Sequence, residues 1–274
     1  MLARLFRRLL ALALGALGAA ATAATLPATY NCAEIPGTAQ LLRAGSTVLV
    51  GEVHGTSEMP AAFLRLVCSA LRRGQGVAAG LEIHDADGVL DAYMASEDEP
   101  AARLALLASP FWSRTRDGRS SAAWLDTIVA FKALRHAGLP LTVFALYDKP
   151  GLSDQAMAQR LRRERLARPD DLIVTLSGNI HSMLQRGSLP AQIPEPLGAL
   201  VADLNPVSIN LTSDGGQSWS CRAPGECHVY DDPKPPVESG PLLAARPASK
   251  AGVYSLDINV GRTTASPPAA QAIR

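Results

Sequence analysis

Apolar residues in this chain follow two alternating rhythms. Mainly apolar runs occur at Thr47–Val50, Val77–Ile83, Leu141–Leu146 and Leu172–Leu176. Short runs rich in β-branched residues predict strands buried on both faces. Between them the spacing is helical. Ser57–Arg73 places Phe63, Leu64, Val67, Cys68 and Leu71 on one side, with Thr56 or Ser57 to cap its start and Gly74 to end it. Gly88–Met94, Glu99–Leu107, Ser121–His136 and Asp154–Leu166 read as further helices, and Pro110–Gly118 as a loop with exposed aromatics. Strands alternating with helices predict βαβ units, hence an α/β fold with a mainly parallel sheet flanked by helices.

From about residue 199 the rhythm changes. Ala199–Asp203, Val207–Leu211, Cys227–Tyr230 and Val253–Asn259 are strand-like, with no helix between them. Asp214-Gly215-Gly216 is a turn signal. These strands predict an antiparallel β extension, either continuing the same sheet or forming a small β subdomain. Pro233–Pro247 reads as a Pro-rich surface loop. The Ala- and Pro-rich segment 263–274 reads as a disordered tail. One domain then spans residues 33–262.

The first residues have the layout of a signal peptide, residues 1–23. Arg4, Arg7 and Arg8 precede the apolar Leu9–Ala20, and Ala21-Thr22-Ala23 offers a cleavage site. The apolar stretch is shorter than the roughly 20 residues of a spanning helix. The expected mature protein is periplasmic or secreted, with no membrane association after cleavage. Four cysteines suit an oxidising compartment. Cys221 and Cys227 bracket a turn-rich loop and are expected to pair, leaving Cys32 for Cys68. A zinc knot from Cys221, Cys227 and His228 would lack a fourth ligand and match no common zinc spacing.

Composition narrows the function. With 274 residues, 47% of them hydrophobic, the chain supports one sizeable core. A formal net charge of +1 gives no electrostatic case for nucleic acid. Aromatics at 5% provide no stacking platform for single strands. The basic cluster Arg160–Arg168 reads as a solvated helix face. A small-molecule or peptide substrate remains.

Candidate chemistry gathers where the strands end. Gly51-Glu52-Val53-His54-Gly55 and Gly178-Asn179-Ile180-His181-Ser182 each follow an apolar strand, which puts His54 and His181 just past its carboxyl end. Open α/β sheets bind ligands at that edge. Glu82, inside a third strand, must be paired, metal-bound or protonated. His84 lies one step past that strand, and Asp148 ends another and reads as an outer partner of the site. Asn179 offers an amide to an oxyanion. His136, at a helix end, and His228 read as structural. Ser57 and Ser177 are candidate nucleophiles, but neither sits in a Gly-x-Ser-x-Gly elbow.

Taken in order, Val50-Gly51-Glu52-Val53-His54-Gly55, Gly80-Leu81-Glu82-Ile83, Leu146-Tyr147-Asp148, Asp154-Gln155-Ala156-Met157-Ala158 and Ser177-Gly178-Asn179-Ile180-His181 resemble the haem-uptake and Tiki-like superfamily. That superfamily groups ChaN-like proteins with Tiki and TraB proteases and erythromycin esterases. The resemblance spans roughly Ser46–Asn205 and implies Glu52, His54, Glu82 and His181 as functional positions. It also shows departures. ChaN-like proteins often carry Asp where this chain has Gly55. Their arginine before Asp-x-x-Met-Ala is absent, since Leu152-Ser153 precede Asp154. The esterases space Glu and His one residue further apart.

The expected function is a metal-dependent or acid–base hydrolase of an ester or amide bond. His54, His181, Glu52 and Glu82 are the candidate ligands of a divalent metal, with one glutamate as general base and Asn179 at the oxyanion. Mutual repulsion of the two glutamates leads to the expectation that Glu82→Gln leaves stability unchanged or raised. The alternative implied by the resemblance is a haem- or iron-binding protein with Tyr147 or His84 as ligand and a homodimer across the site.

Overall fold

The structure, a computed structural model, describes residues 30–148, 153–186, 195–223, 225–233 and 242–271. The expected signal peptide, residues 1–23, lies outside them. The chain runs β1 (Thr47–Glu52), α1 (Glu58–Arg72), β2 (Val77–His84), α2 (Val89–Ala95), α3 (Glu99–Ala108), α4 (Pro110–Arg114), α5 (Ala122–His136), β3 (Leu141–Tyr147), α6 (Asp154–Ala167) and β4 (Leu172–Gly178). It continues through α7 (Leu197–Leu200), β5 (Val207–Thr212), β6 (Gly216–Ala223), β7 (Glu226–Asp232), β8 (Ala245–Pro247) and β9 (Leu256–Asn259). Seven strands form one sheet in the order β3-β2-β4-β1-β5-β9-β8, and β6 and β7 form a separate antiparallel hairpin.

The continuous apolar runs follow from helices on both faces. In β1, Val48 and Val50 join the core under α1 and α5. Leu49 points the other way, into the core of α6 with Met157, Ala158 and Leu161. Successive side chains alternate between faces, so a strand covered on both sides has no polar position to spare.

Several expectations change in the C-terminal part. β5 pairs parallel with β1, and β9 parallel with β5. Within the sheet only β8 runs antiparallel, against β9. The expected strand Ala199–Asp203 is instead α7 and a 3-10 turn at Ala202–Leu204. Four apolar residues after Pro196 are too few for periodicity to tell a strand from one helical turn. Similarly, Pro110 at the first helical position starts α4 where a loop was expected. Phe111 and Trp112 are buried, not exposed, and meet edge to face at 5.6 Å. The expected disordered tail is placed through Gln271: Thr263, Ser266 and Ala269 are buried, and Ser266 Oγ accepts a hydrogen bond from the Ala123 N–H at the start of α5.

The arginines of α6 are tied within the protein. Arg160 and Arg163 pair with Asp148, Arg162 with Asp203, and Arg165 bonds backbone carbonyls at Ser46 and Asp171. Among the described residues no helix is long and apolar enough to cross a membrane.

Both expected disulfides are present, Cys32–Cys68 across 36 residues and Cys221–Cys227 across 6. Chain-entropy scaling gives the larger loop about 4 kcal/mol of stabilisation and the smaller about 2. Urea denaturation of Cys32→Ala/Cys68→Ala and Cys221→Ala/Cys227→Ala proteins should therefore show the greater loss in the first. The reverse order would mean that the hairpin, not the amino-terminal segment, controls global unfolding.

Candidate active site

Three adjacent strands build the site. β2, β4 and β1 lie side by side, and Glu52 at the end of β1 is level with Gly178 at the end of β4. On the other side, β2 pairs with β3 as Leu81 with Ala145 and then His84 with Tyr147. Three steps on β2 thus face two on β3. The extra residue is a bulge at Glu82-Ile83, of the kind that re-aims a side chain. Glu82 accepts a hydrogen bond from the Gly178 N–H at 2.8 Å, so its carboxylate leans across the end of β4.

Both imidazoles meet Glu82. His54 Nε2 lies 3.4 Å from Glu82 Oε2, and His181 Nε2 lies 3.8 Å from Glu82 Oε1. Each opposite ring nitrogen is held by a further carboxylate. His54 Nδ1 is 2.8 Å from Glu52 Oε1, and His181 Nδ1 is 2.8 Å from Asp154 Oδ1. These carboxylates are fixed in turn: Trp124 Nε1 donates to Glu52 Oε1 at 2.7 Å, and the Leu197 N–H donates to Asp154 Oδ1 at 2.7 Å. Arg119, in the turn before α5, places Nη1 3.1 Å from Glu82 Oε1. Asp117 grips that guanidinium through both Nε and Nη2.

Two glycines let the parts approach. A Cβ at Gly178 would lie 2.9 Å from His54 Nε2 and 3.4 Å from His181 Cδ2, so the strand passes between the rings only without a side chain. Gly55 has φ +77°, and a Cβ there would lie 2.0 Å from the Trp219 carbonyl oxygen. No side chain has room at this position, because the β6–β7 hairpin occupies its place.

Burial and charge oppose one another throughout the site. Glu52 and Glu82 are 1% and 2% exposed. Burial alone would raise the pKa of Glu82; the charge and hydrogen bonding of His54, then His181 and Arg119, outweigh it and hold Glu82 well below the usual carboxylate range. For Glu52 burial wins over hydrogen bonds from His54 and Trp124, and its pKa is raised. One oxygen of Glu52, Oε2, is buried without a partner among the described residues, as suits a carboxyl that resists ionising. Burial disfavours charge on His54 too, but the Glu82 charge and the hydrogen bond to Glu52 overcome it and push His54 up to about 10. His181 moves in the same direction: Asp154 and Glu82 outweigh its burial.

The structure therefore brings Glu52, His54, Glu82 and His181 together, as the motifs imply. Asn179 sits in the turn after β4. Its carbonyl accepts hydrogen bonds from Ser182 and Tyr254, while its carboxamide has no partner among the described residues. Asp148 instead faces α6 through Arg160 and Arg163. His136 pairs with Glu97 at 3.8 Å, and His228 stacks on Tyr230 at 4.0 Å in the hairpin. Ser177 is fully buried. Sequence reasoning missed Arg119, Asp117, Trp124 and the role of Asp154. Of these, only Asp154 carried a signal, through its place in the Asp-x-x-Met-Ala piece.

The expected metal does not suit this arrangement. Both ring nitrogens of His54 already face carboxylates, and Arg119 takes up one oxygen of Glu82. Among the described residues no group of three or more His, Cys, Asp or Glu is arranged to hold a metal ion. Of the candidate haem ligands, Tyr147 is 3% exposed, and His84 lines a cavity of about 210 Å³ with Phe111 and Arg119.

No protein-family model and no curated protein matches the chain. Its fold is shared with solved structures. One is a succinoglycan biosynthesis protein, with TM-score 0.54 and 12% identity, covering 84% of this chain and 91% of that one. Another is a Bacillus cereus protein, with TM-score 0.54 and 10% identity, covering 89% and 96% respectively. The type III effector HopBA1 aligns at TM-score 0.48 and 14% identity, over 80% and 88%. Identities this low establish the fold and nothing finer.

The charges of the site determine how its variants respond to denaturant and to pH. Glu82 compensates His54 and Arg119, so it is not the strained member of a repelling pair. Contrary to the sequence expectation, Glu82→Gln should destabilise the fold, by roughly 1–3 kcal/mol in urea titration, because it takes from His54, His181 and Arg119 the one carboxylate they share. An unchanged or raised stability would refute this. The pKa of His54 is raised from 6.5 to about 10, so its contribution is fully present below pH 6.5 and lost as pH rises through about 10. The melting temperature should fall over that interval, and the His54→Gln protein should show a flatter profile.

Proposed function

We propose that the chain is an exported ChaN- and Tiki-like protein that hydrolyses an ester or amide bond by acid–base chemistry. One observation carries this reading: two imidazoles, each held at Nδ1 by a carboxylate, turn Nε2 toward the same buried glutamate. A carboxylate at Nδ1 fixes the tautomer and orientation of a histidine and leaves Nε2 for proton transfer.

The two histidines take different roles because their surroundings differ. His181 is the general base. Its Nδ1–H donates to Asp154, and its Nε2 removes a proton from water as the water oxygen attacks the carbonyl carbon. His54 is the acid. Glu82 and Glu52 keep it protonated at neutral pH, and its Nε2–H protonates the leaving oxygen or nitrogen as the bond to the carbonyl carbon breaks. Glu82 stays ionised, Arg119 and Asp117 position it, and Glu52 with Trp124 positions His54. Asn179 follows Gly178 directly, and its free carboxamide is the candidate oxyanion donor. This assigns base chemistry to His181 instead of a glutamate. Proton transfer accounts for the donor set better than metal ligation, since among the described residues no group of three or more His, Cys, Asp or Glu is arranged to hold a metal ion. Export rests on the signal-like residues 1–23, with two disulfides in support.

The test is turnover of a panel of p-nitrophenyl esters and amino-acid anilides. Activity should rise as His181 loses its proton and fall as His54 loses its own near pH 10, giving a bell. His54→Ala and His181→Ala should each remove most of it, about 100-fold or more, and the double variant should cost little beyond either single one. Additive losses, or a pH profile unchanged by His181→Ala, would refute the shared-site mechanism. Chelator treatment should leave the rate unchanged.

A further inference from the structure

A cleft of about 730 Å³ opens beside the site, between the segment after α4 and the β6–β7 hairpin. Arg114 and Arg116 line one wall, and Arg222 with the Cys221–Cys227 disulfide lines the other. All three arginines are exposed, and none has an acidic partner among the described residues. The one carboxylate in the lining, Asp117, is taken up by Arg119. Three unneutralised guanidinium groups in one concavity repel each other, and an anion relieves that repulsion.

The cleft is a built structure. Trp219 ties its two walls together, since its Nε1 donates to the Arg116 carbonyl at 2.8 Å and its backbone N–H to the Gly55 carbonyl at 2.9 Å. The Arg222 guanidinium lies 3.8 Å over the Tyr230 ring, which restricts its motion without using its hydrogen-bond donors. The disulfide fixes the hairpin end that presents Arg222. The cleft also adjoins the reacting groups. Asp117 lines it and holds Arg119 at 2.7 Å, and Arg119 reaches Glu82 at 3.1 Å.

From this we infer that the cleft is the docking site for an anionic group of the substrate, a phosphate or a carboxylate, and that this group delivers the neighbouring scissile bond to His54 and His181. Guanidinium forks match both oxyanions in two-point geometry. The delivery step rests on the proposed hydrolase reading; the anion site does not. Since guanidinium stays charged across the accessible pH range, binding should vary with pH only through the ionisation of the anion itself, and not with the histidines that shape turnover.

The experiment is calorimetric titration of the full mature protein with inorganic phosphate and, separately, succinate at low ionic strength. One anion or both should bind saturably at one site, and the preference tells phosphate from carboxylate. Arg114→Ala/Arg222→Ala should weaken that binding at least tenfold while keeping the melting temperature, because both side chains are exposed. His181→Ala should bind as the parent does. Binding that survives Arg114→Ala/Arg222→Ala, or no saturable binding of either anion, would overturn the assignment. Turnover separates the two proposals. If the cleft variant loses anion binding but the parent hydrolyses no ester, the anion site stands and the hydrolase reading falls. If the parent hydrolyses neutral and anionic esters with equal kcat/KM and binds no anion, the cleft assignment falls alone.

Discussion

Burying an ionised carboxylate is the constraint around which this molecule is arranged. Glu82 sits inside a strand, 2% exposed, where an unpaired charge would cost several kcal/mol. Its two oxygens are met by the Gly178 N–H, the Arg119 guanidinium and two imidazoles. Each of those partners brings a requirement of its own. Arg119 needs Asp117, His54 needs Glu52, and His181 needs Asp154. The chain of compensation draws on three strands and the starts of two helices. It explains why so many polar groups stand at one end of an apolar sheet without weakening it.

The sheet and the helices contribute differently. The strand ends supply Glu52, Glu82 and Gly178, with His54 and His181 just beyond them, and register fixes Glu52 level with Gly178. The residues before and at the start of α5 supply Arg119 and Trp124, and the first residue of α6 supplies Asp154. These come from crossovers on opposite faces of the sheet, which meet only at its carboxyl edge. The site is therefore closed from both sides by segments far apart in sequence, and its geometry depends on the whole α/β stack being formed.

That division also marks what the sequence could reveal. The strands β1 to β4 and the longer helices between them were legible because long periodic runs are physically unambiguous. Glu52, His54, Glu82 and His181 were legible because an ionisable group beside a buried strand needs a compensating partner close by, which implies a cluster. Arg119 and Trp124 were not, since an arginine in a turn and a tryptophan on a helix are ordinary surface and core residues until the third dimension places them. The same limit hid the parallel pairing of β5 and β9. Parallel neighbours are usually linked by a helix, and here β6, β7 and β8 fill the connection instead. The disulfides were legible from an even cysteine count and a short bracketed loop, whereas α4 and α7 were too short for any pattern to register.

The insertion of the hairpin between two paired parallel strands separates inheritance of chemistry from inheritance of selectivity. β5 and β9 are joined by backbone pairing and by the buried Asn210–Asp257 hydrogen bond, and the hairpin takes part in neither. The hairpin touches the catalytic framework chiefly where Trp219 packs on Gly55 and Arg116. On the proposed reading, one wall of the cleft is thus carried by an appendage whose two strands lie outside the main sheet, joined to the strand ends through Gly55.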